Sequence, residues 1–387
     1  MASFSDSPLE TIGEIINALQ DDIAALEACS QTCSLLLPLC RKSRPRLITL
    51  FGILLNSNPG ISELVRNLVF HMCSVDVYDD DVPLVLGRLH HLQSFELGIG
   101  ERVITGWNEF HQPFREALLR LIQMPSVSRL EISRISNFPI TVFFPCMNLA
   151  DLTLARLIRP TTAVSCGNGS SALEAAPQLR SFAFRLNSGP YAMHLLNARR
   201  PNGGRVLDFR NVRTLSVEAG KEGDLMVIQA FIRVTQKLET LDYVAEITKG
   251  YAGFAASLNT SSLSTLTTLR LQHGIDDEIQ DPLCGLCKEI SIISGRNVIE
   301  EISLRVIVQT DCRCKTGSEW GGLDAVLSRG FPQLLYVSLD IEICVFLPSF
   351  SEAALEEQIN EIPRKYFPWL SSNIQVAFNF STSVHWV

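Results

Sequence analysis

Four cysteines in the last third of the chain are the residues whose type and spacing most invite chemistry. Cys284-x-x-Cys287 and Cys312-x-Cys314 offer four thiolates, the number a tetrahedral zinc site takes. The second pair is one residue short of the usual knuckle. The first pair sits in an apolar helical pattern with Pro282, Leu283, Leu286 and Ile290, where cysteine behaves as a small buried hydrophobe. A redox dithiol would need a thioredoxin-like context, and none surrounds these residues. His71, His90, His91, His111, His194, His273 and His385 are scattered without metal-ligand spacing. No nucleophile elbow, phosphate-binding loop or dinucleotide fingerprint occurs. The expectation is no catalytic centre, no metal and no cofactor. An enzyme built on a cysteine or zinc site around Cys284–Cys314 stands as the alternative from another class.

A second set of residues could recognise a ligand without reacting with it. In the stretch Leu263–Leu271, Leu269 and Leu271 alternate with Arg270 and Gln272, and alternate side chains of a strand point to opposite faces. If the leucines face a core, the arginine and glutamine face away from it. The same offset selects Val69, His71, Glu96, Glu131, Ser133, Thr153, Arg185, Ser216, Glu218, Asp242, Ser303, Arg305, Ser338 and Asp340. This row has acidic blocks at Glu96–Glu131 and Glu218–Asp242 and a basic one at Arg270–Arg305. Any amphipathic sheet has such a solvated face, and alternating charge on it can also select a partner. Adjacent strands lie about 4.8 Å apart, so Arg270 and Arg305 are expected to reach one anionic group together. The expected ligand site is Arg270, Arg305, Asp242, Glu218, Arg185 and Gln272, and the expected ligand is an acidic or phosphorylated protein segment.

These side chains need strands to position them, and the sequence supplies a repeated one. The pattern L-x-x-L-x-L of Leu266/Leu269/Leu271 recurs earlier as Val65/Leu68/Phe70, Leu92/Phe95/Leu97, Val127/Leu130/Ile132, Leu149/Leu152/Leu154 and Leu179/Phe182/Phe184. Further copies are Val212/Leu215/Val217, Leu238/Leu241/Tyr243, Ile299/Ile302/Leu304 and Leu334/Val337/Leu339. The central residues of these ten copies are 22 to 35 residues apart. One short strand per repeat at such a period marks a leucine-rich-repeat solenoid, in which stacking buries a face that no single repeat can bury. An ordinary α/β sheet is the alternative. Helical patterns fall between the strands at Asp81–Leu89, Trp107–Met124, Leu225–Gln236, Pro282–Ser294, Gly322–Leu327 and Ser351–Tyr366. The fold class expected is α/β, a curved parallel sheet with outer helices and the polar row on its concave side. Arg159–Ser171 and Asn197–Gly204 read as surface insertions from their Thr, Ser, Gly and Pro content. Ile374, Val376, Phe378 and Phe380 alternate like a closing strand.

Composition limits the function classes. Of 387 residues, 46 % are apolar and 19 % charged, which excludes a mainly disordered chain. The longest apolar run, Leu47–Leu55, is broken by Thr49 and too short to cross a bilayer. A net charge of −8 argues against a nucleic-acid surface over the whole molecule. Eleven cysteines without a signal peptide read as reduced thiols in a cytoplasmic or nuclear protein. No membrane and no nucleic-acid partner are expected.

Residues 1–45 differ in kind from the rest. Ser7-Pro8 can start a helix in which Leu9, Ile12, Ile15, Ile16 and Leu19 share one face. Asp21-Asp22 can cap a second, with Leu26, Cys29 and Cys33 on one side, and Leu35-Leu36-Leu37-Pro38 ends it. So little apolar surface cannot stabilise an independent fold, so the segment needs a partner or the following domain. The Pro8-Leu9-Glu10 opening, the Ile15-Ile16-x-x-Leu19 helix, the Asp21-Asp22 connection, Leu26-x-x-Cys29-Ser30-x-x-Cys33 and Leu37-Pro38 resemble an F-box, in the variant of fungal F-box proteins with irregular, ribonuclease-inhibitor-like leucine-rich repeats. The resemblance implies that Pro8, Leu9, Ile12, Ile15, Ile16, Leu19, Leu26, Cys29, Leu36 and Leu37 dock a Skp-type adaptor of a cullin–RING ubiquitin ligase. The domain organisation expected is an F-box-like head over 1–45, a connector over 46–60 and an irregular solenoid over 61–387. The function expected is substrate recognition for an SCF-type ligase; a free-standing repeat scaffold, or a head that merely caps the first repeat, is the alternative among binding proteins.

Overall fold

The structure, a computed structural model, describes residues 46–72, 76–100, 104–158, 176–247, 250–275, 283–310, 318–345, 357 and 359–386. All ten candidate adaptor-binding residues from Pro8 to Leu37 lie outside these, as do the expected insertion Arg159–Ser171 and the pair Cys312 and Cys314. The chain divides into two compact units, Met1–Pro177 with Asn197–Leu207, and Gln178–Leu196 with Asp208–Val387.

The first unit contains β1 (Asn67–Met72), β2 (Ser94–Ile99), β3 (Thr105–Gly106), β4 (Arg129–Ser133), β5 (Ile135–Ser136) and β6 (Asp151–Ala155). Strands β1, β2, β4 and β6 pair in that order, all parallel, and β3 pairs with β5 apart from them. The apolar repeat sets the register. Leu68 stands opposite Phe95, Phe95 opposite Leu130, and Leu130 opposite Leu152, and all four are buried. Strands β2, β4 and β6 also begin in the same way. The Arg66 carbonyl accepts from the N–H groups of both Gln93 and Ser94; Gln93 does the same for Ser128 and Arg129, and Ser128 for Ala150 and Asp151. The residue after the first apolar position of one copy thus fixes where the next copy joins the ladder.

Helices Arg46–Ser57, Asp81–Leu86 and Gln112–Ile122 belong to this unit. The last buries Phe114, Ala117, Leu118, Leu121 and Ile122 and carries Pro113 in its first turn, where the missing N–H has no intrahelical partner to lose. The helical pattern expected over Trp107–Met124 is therefore a 3-10 turn, Trp107–Glu109, followed by this shorter helix. The connector carries helix Arg46–Ser57, the short apolar helix its sequence implies before Asn58-Pro59-Gly60, which packs on Asp81–Leu86. A Cβ on Gly52 would come within 2.7 Å of Val85 Cγ2, so any other residue there would have to push Val85 or the helix aside.

The second unit contains β7 (Ser181–Arg185), β8 (Thr214–Ala219), β9 (Thr240–Ala245), β10 (Thr268–Ile275), β11 (Glu301–Thr310), β12 (Tyr336–Val345) and β13 (Ala377–Trp386), parallel and paired in sequence order. Register again follows the repeat, from Phe182 through Leu215, Leu241, Leu269, Ile302 and Val337 to Phe378. The shared carbonyls here are those of Arg180, Arg213, Glu239, Thr267 and Glu300. Strand length rises from 5 residues in β7 to 10 in β11, β12 and β13. All ten copies of the repeat are strands, and the expected closing strand is β13.

The helices of this unit include Gly189–Asn197, Glu222–Val234, Phe254–Ser257, Leu286–Ile293, Ser318–Gly330, Ile362–Tyr366 and Pro368–Ser372. Phe231 of Glu222–Val234 meets Phe182, Phe184 and Phe209 with ring centroids 4.9 to 5.3 Å apart, which ties helix to sheet. Buried acids link neighbouring helices. Glu289 accepts from the Gly253 and Ala255 N–H groups, and Asp324 from those of Trp369 and Leu370, so each satisfies donors at the start of another helix. The architecture is α/β, parallel strands alternating with flanking helices, which is compatible with the solenoid expected.

Candidate interaction face

In the second unit the side chains between the buried apolar positions form ordered rows on the other face of the sheet. One row runs Ser216, Asp242, Arg270, Ser303, Ser338 and Asn379, each opposite the next. The adjacent row runs Gln272, Arg305, Asp340 and Ser381. The offset counted from the leucines therefore puts the six residues of the expected ligand site off the core face: Arg185, Arg270 and Arg305 are exposed, and Glu218, Asp242 and Gln272 are half-buried.

What the arginines do differs from the expectation. Arg270 stands opposite Ser303, and Arg305 opposite Gln272, so the two are diagonal neighbours, two residues out of step. Each is already engaged by carboxylates on flanking strands. Arg270 lies 3.8 Å from Asp242 and 3.6 Å from Glu301. Arg305 donates to Glu342 and lies 3.7 Å from Asp340, whose Oδ1 also accepts from the Ser381 hydroxyl at 2.8 Å. The expected anion clamp is instead an interstrand ladder of alternating charge. Glu301 and Glu342 were missed as partners, although they obey the same alternation, two residues before Ser303 and two after Asp340. Arg185, the third arginine, donates to Ser216 Oγ at 2.9 Å, and Glu218 accepts from the Leu186 N–H at 3.1 Å.

The electrostatics of this face lean negative: Glu218, Asp242, Glu301, Asp340 and Glu342 face Arg185, Arg270 and Arg305. Burial raises the pKa of Asp242 above the ordinary carboxylate range, against the opposing pull of Arg270 and then Arg185. Burial likewise raises Glu218, with the Leu186 N–H pulling it down and Glu246 adding repulsion. Arg305 is held protonated more firmly, first by its hydrogen bond to Glu342. A face of this kind offers paired charges at fixed spacing, able to exchange an internal partner for one on a ligand.

In the first unit the corresponding residues make a separate, smaller set. His71 Nε2 and Glu96 Oε1 are 2.6 Å apart, and Arg129 pairs with Asp151 at 3.5 Å. Gly98 lies between His71 and Ser133 on this face; a Cβ there would meet Ser133 Oγ at 2.4 Å.

The cysteine pair of the second unit is built into packing. Cys284 is buried with φ +48°, just before helix Leu286–Ile293, and Cys287 is half-buried. His273 belongs to the core side of β10, fully buried, with Nδ1 3.1 Å from the Tyr251 hydroxyl. Among the described residues no three or more His, Cys, Asp or Glu side chains are grouped to hold a metal ion. Among the same residues no helix is long and apolar enough to cross a membrane. The chain matches no known family and no curated protein.

Proposed function

We propose that this chain is an interaction protein whose repeat array captures a protein ligand on the open sheet face, and whose residues 1–45 dock a Skp-type adaptor, making it the substrate-recognition subunit of an SCF-type ubiquitin ligase. The observation that carries the capture half is the pair of in-register polar rows from Ser216 to Asn379 and from Gln272 to Ser381, built by the six strands β8 to β13 whose other face is core. A leucine-rich-repeat solenoid uses its sheet face in this way, because stacking repeats places successive side chains at regular spacing. Since Asp242, Glu301, Asp340 and Glu342 already flank Arg270 and Arg305, the ligand we favour carries both signs of charge instead of an acidic run alone. Support for the ligase half is the F-box resemblance of residues 1–45. The deciding experiment is co-purification of the full chain with a Skp-type adaptor. Ile16→Asp with Leu19→Asp should abolish capture of the adaptor and leave the circular dichroism of the repeat array unchanged. Equal capture by parent and double variant would reduce the head to a cap and leave a free-standing scaffold.

A further inference from the structure

The turn 199–205 of the first unit carries buried positive charge with no neutralising group among the described residues. Arg199 and Arg205 form an antiparallel bridge, the Arg200 N–H donates to the Gly204 carbonyl at 2.7 Å, and the Gly203 N–H donates to the Arg200 carbonyl at 2.9 Å. The reversal needs Gly203, whose φ is +81°. Read from sequence as a surface insertion, the turn does expose 201–204, yet Arg200 is only 6 % exposed. Its guanidinium lies 5.7 Å from the centre of the Phe144 ring and makes one long bond, from Nη2 to the Val206 carbonyl at 3.5 Å. Nε of Arg200 has no acceptor, and neither has the enclosed Nη1 of Arg205.

A guanidinium does not shed its proton in a protein, so burial cannot neutralise it as it would a lysine. An uncompensated buried charge is strongly unfavourable unless something pairs with it. The aromatic ring of Phe144 offsets part of that penalty but accepts no hydrogen bond along Nε–H. Cys146 is a titratable group that Arg200's charge reaches. Burial pushes that thiol up to about 12 against the pull of Arg200, so at neutral pH it stays a neutral donor to the Val142 and Ile122 carbonyls. It is no counter-ion.

We propose that the turn 199–205 is an anion site, in which an oxyanion of the phosphate class accepts from Arg200 Nε while Arg205 supplies a second positive charge on the same turn. Such an ion fits because its several oxygens can accept from more than one guanidinium N–H, which a single lone acceptor cannot do. The tip 201–204 is exposed and nothing lies within 4 Å of a Cβ built on Gly203, so a small movement of the tip admits the ion without opening the core. The site stands independently of the ligase reading above.

The test uses the full chain in phosphate-free buffer, titrated with sodium phosphate against sodium chloride at matched ionic strength, with thermal unfolding and titration calorimetry as readouts. Phosphate should raise the melting temperature saturably and chloride should not. Arg205→Gln should weaken phosphate binding at least tenfold, and Arg200→Met should abolish it. Without phosphate, Arg200→Met should be at least as stable as the parent, because methionine fills the space beside Phe144 and removes the unpaired charge. Three results would overturn the proposal: a phosphate response no larger than that to chloride, variants that respond like the parent, or an Arg200→Met chain less stable than the parent without phosphate. The last would make Arg200 a structural prop.

Discussion

Replacing Glu289 by glutamine tests how one repeat is fastened to the next. The side chain is 7 % exposed, and its two oxygens accept from separate donors, Gly253 N–H at 2.8 Å and Ala255 N–H at 3.1 Å, at the start of helix Phe254–Ser257. Glutamine keeps the shape but has one acceptor oxygen, so its amide nitrogen is turned toward one of the two N–H groups. A hydrogen bond to a charged group contributes roughly 1.5–3 kcal/mol, and the substitution removes one and weakens the other, so the expected loss is about 2–3 kcal/mol. Glu289→Ala removes both acceptors and should cost more, about 3–5 kcal/mol, because two buried donors are orphaned. Alanine's advantage in helix propensity, a few tenths of a kcal/mol, is too small to offset this. Because the chain has two units, a single global unfolding energy is a poor gauge, and amide exchange at Gly253 and Ala255 is the better one. Each 1.4 kcal/mol is roughly tenfold, so exchange there should speed by about thirty- to hundredfold in the glutamine variant. Unchanged exchange at both amides would refute the claim that this carboxylate holds the helix start.

Two further outcomes follow from the same structure. Burial raises the Asp242 pKa, so in the folded state the neutral form is favoured, and stability from this group is full below its unfolded pKa and lost as pH rises through the folded value. Asp242→Asn should therefore raise the melting temperature at pH 7, with the gain shrinking as pH falls toward about 4; a gain independent of pH would point to packing instead. At Gly250 a Cβ would fall 2.2 Å from Ala245 Cβ and 3.1 Å from the Ile247 carbonyl, neither of which can swing away. Gly250→Ala should destabilise the second unit by about 1–3 kcal/mol in urea unfolding followed by circular dichroism, and a neutral result would mean the backbone there relaxes freely.

The strands were legible because burial imposes a rule on residue types that sequence displays directly. Leu68, Leu269 and Val337 had to be apolar, and their spacing to Phe70, Leu271 and Leu339 had to be two. Helix Gly189–Asn197 was not legible, since Gly189-Pro190 reads as a loop; the glycine is there because Asp224 Oδ1 comes within 2.5 Å of where its Cβ would be. That approach depends on a residue 35 positions away, and no local pattern encodes it. The polar row was legible as membership but not as partnership. Whether Arg305 meets Asp340 or Glu342 depends on the stagger between β11 and β12, which the shared Glu300 carbonyl at the strand start fixes and the alternation leaves open. The buried state of Arg200 was hidden for the same reason, inside a stretch whose Pro, Asn and Gly content marks a surface turn.

The shared carbonyl that receives two N–H groups at the beginning of β2, β4, β6 and each of β8 to β12 has an implication for how such a chain can be remodelled. Alignment between neighbouring strands is decided at that one point, at Arg213 for β9 and Glu239 for β10, before the strand itself begins. Whatever lies between the end of one strand and the next apolar position can therefore grow or shrink without sliding the ladder, which is how intervals of 22 and 35 residues coexist in one array. An insertion in a connecting segment changes only what decorates the edge, whereas a single residue added between Leu266 and Leu269 would turn Arg270 inward and Leu269 to solvent. The array thus tolerates drift in its connections while keeping its surface lettering in alignment, so individual repeats could be exchanged by engineering wherever this starting contact is preserved.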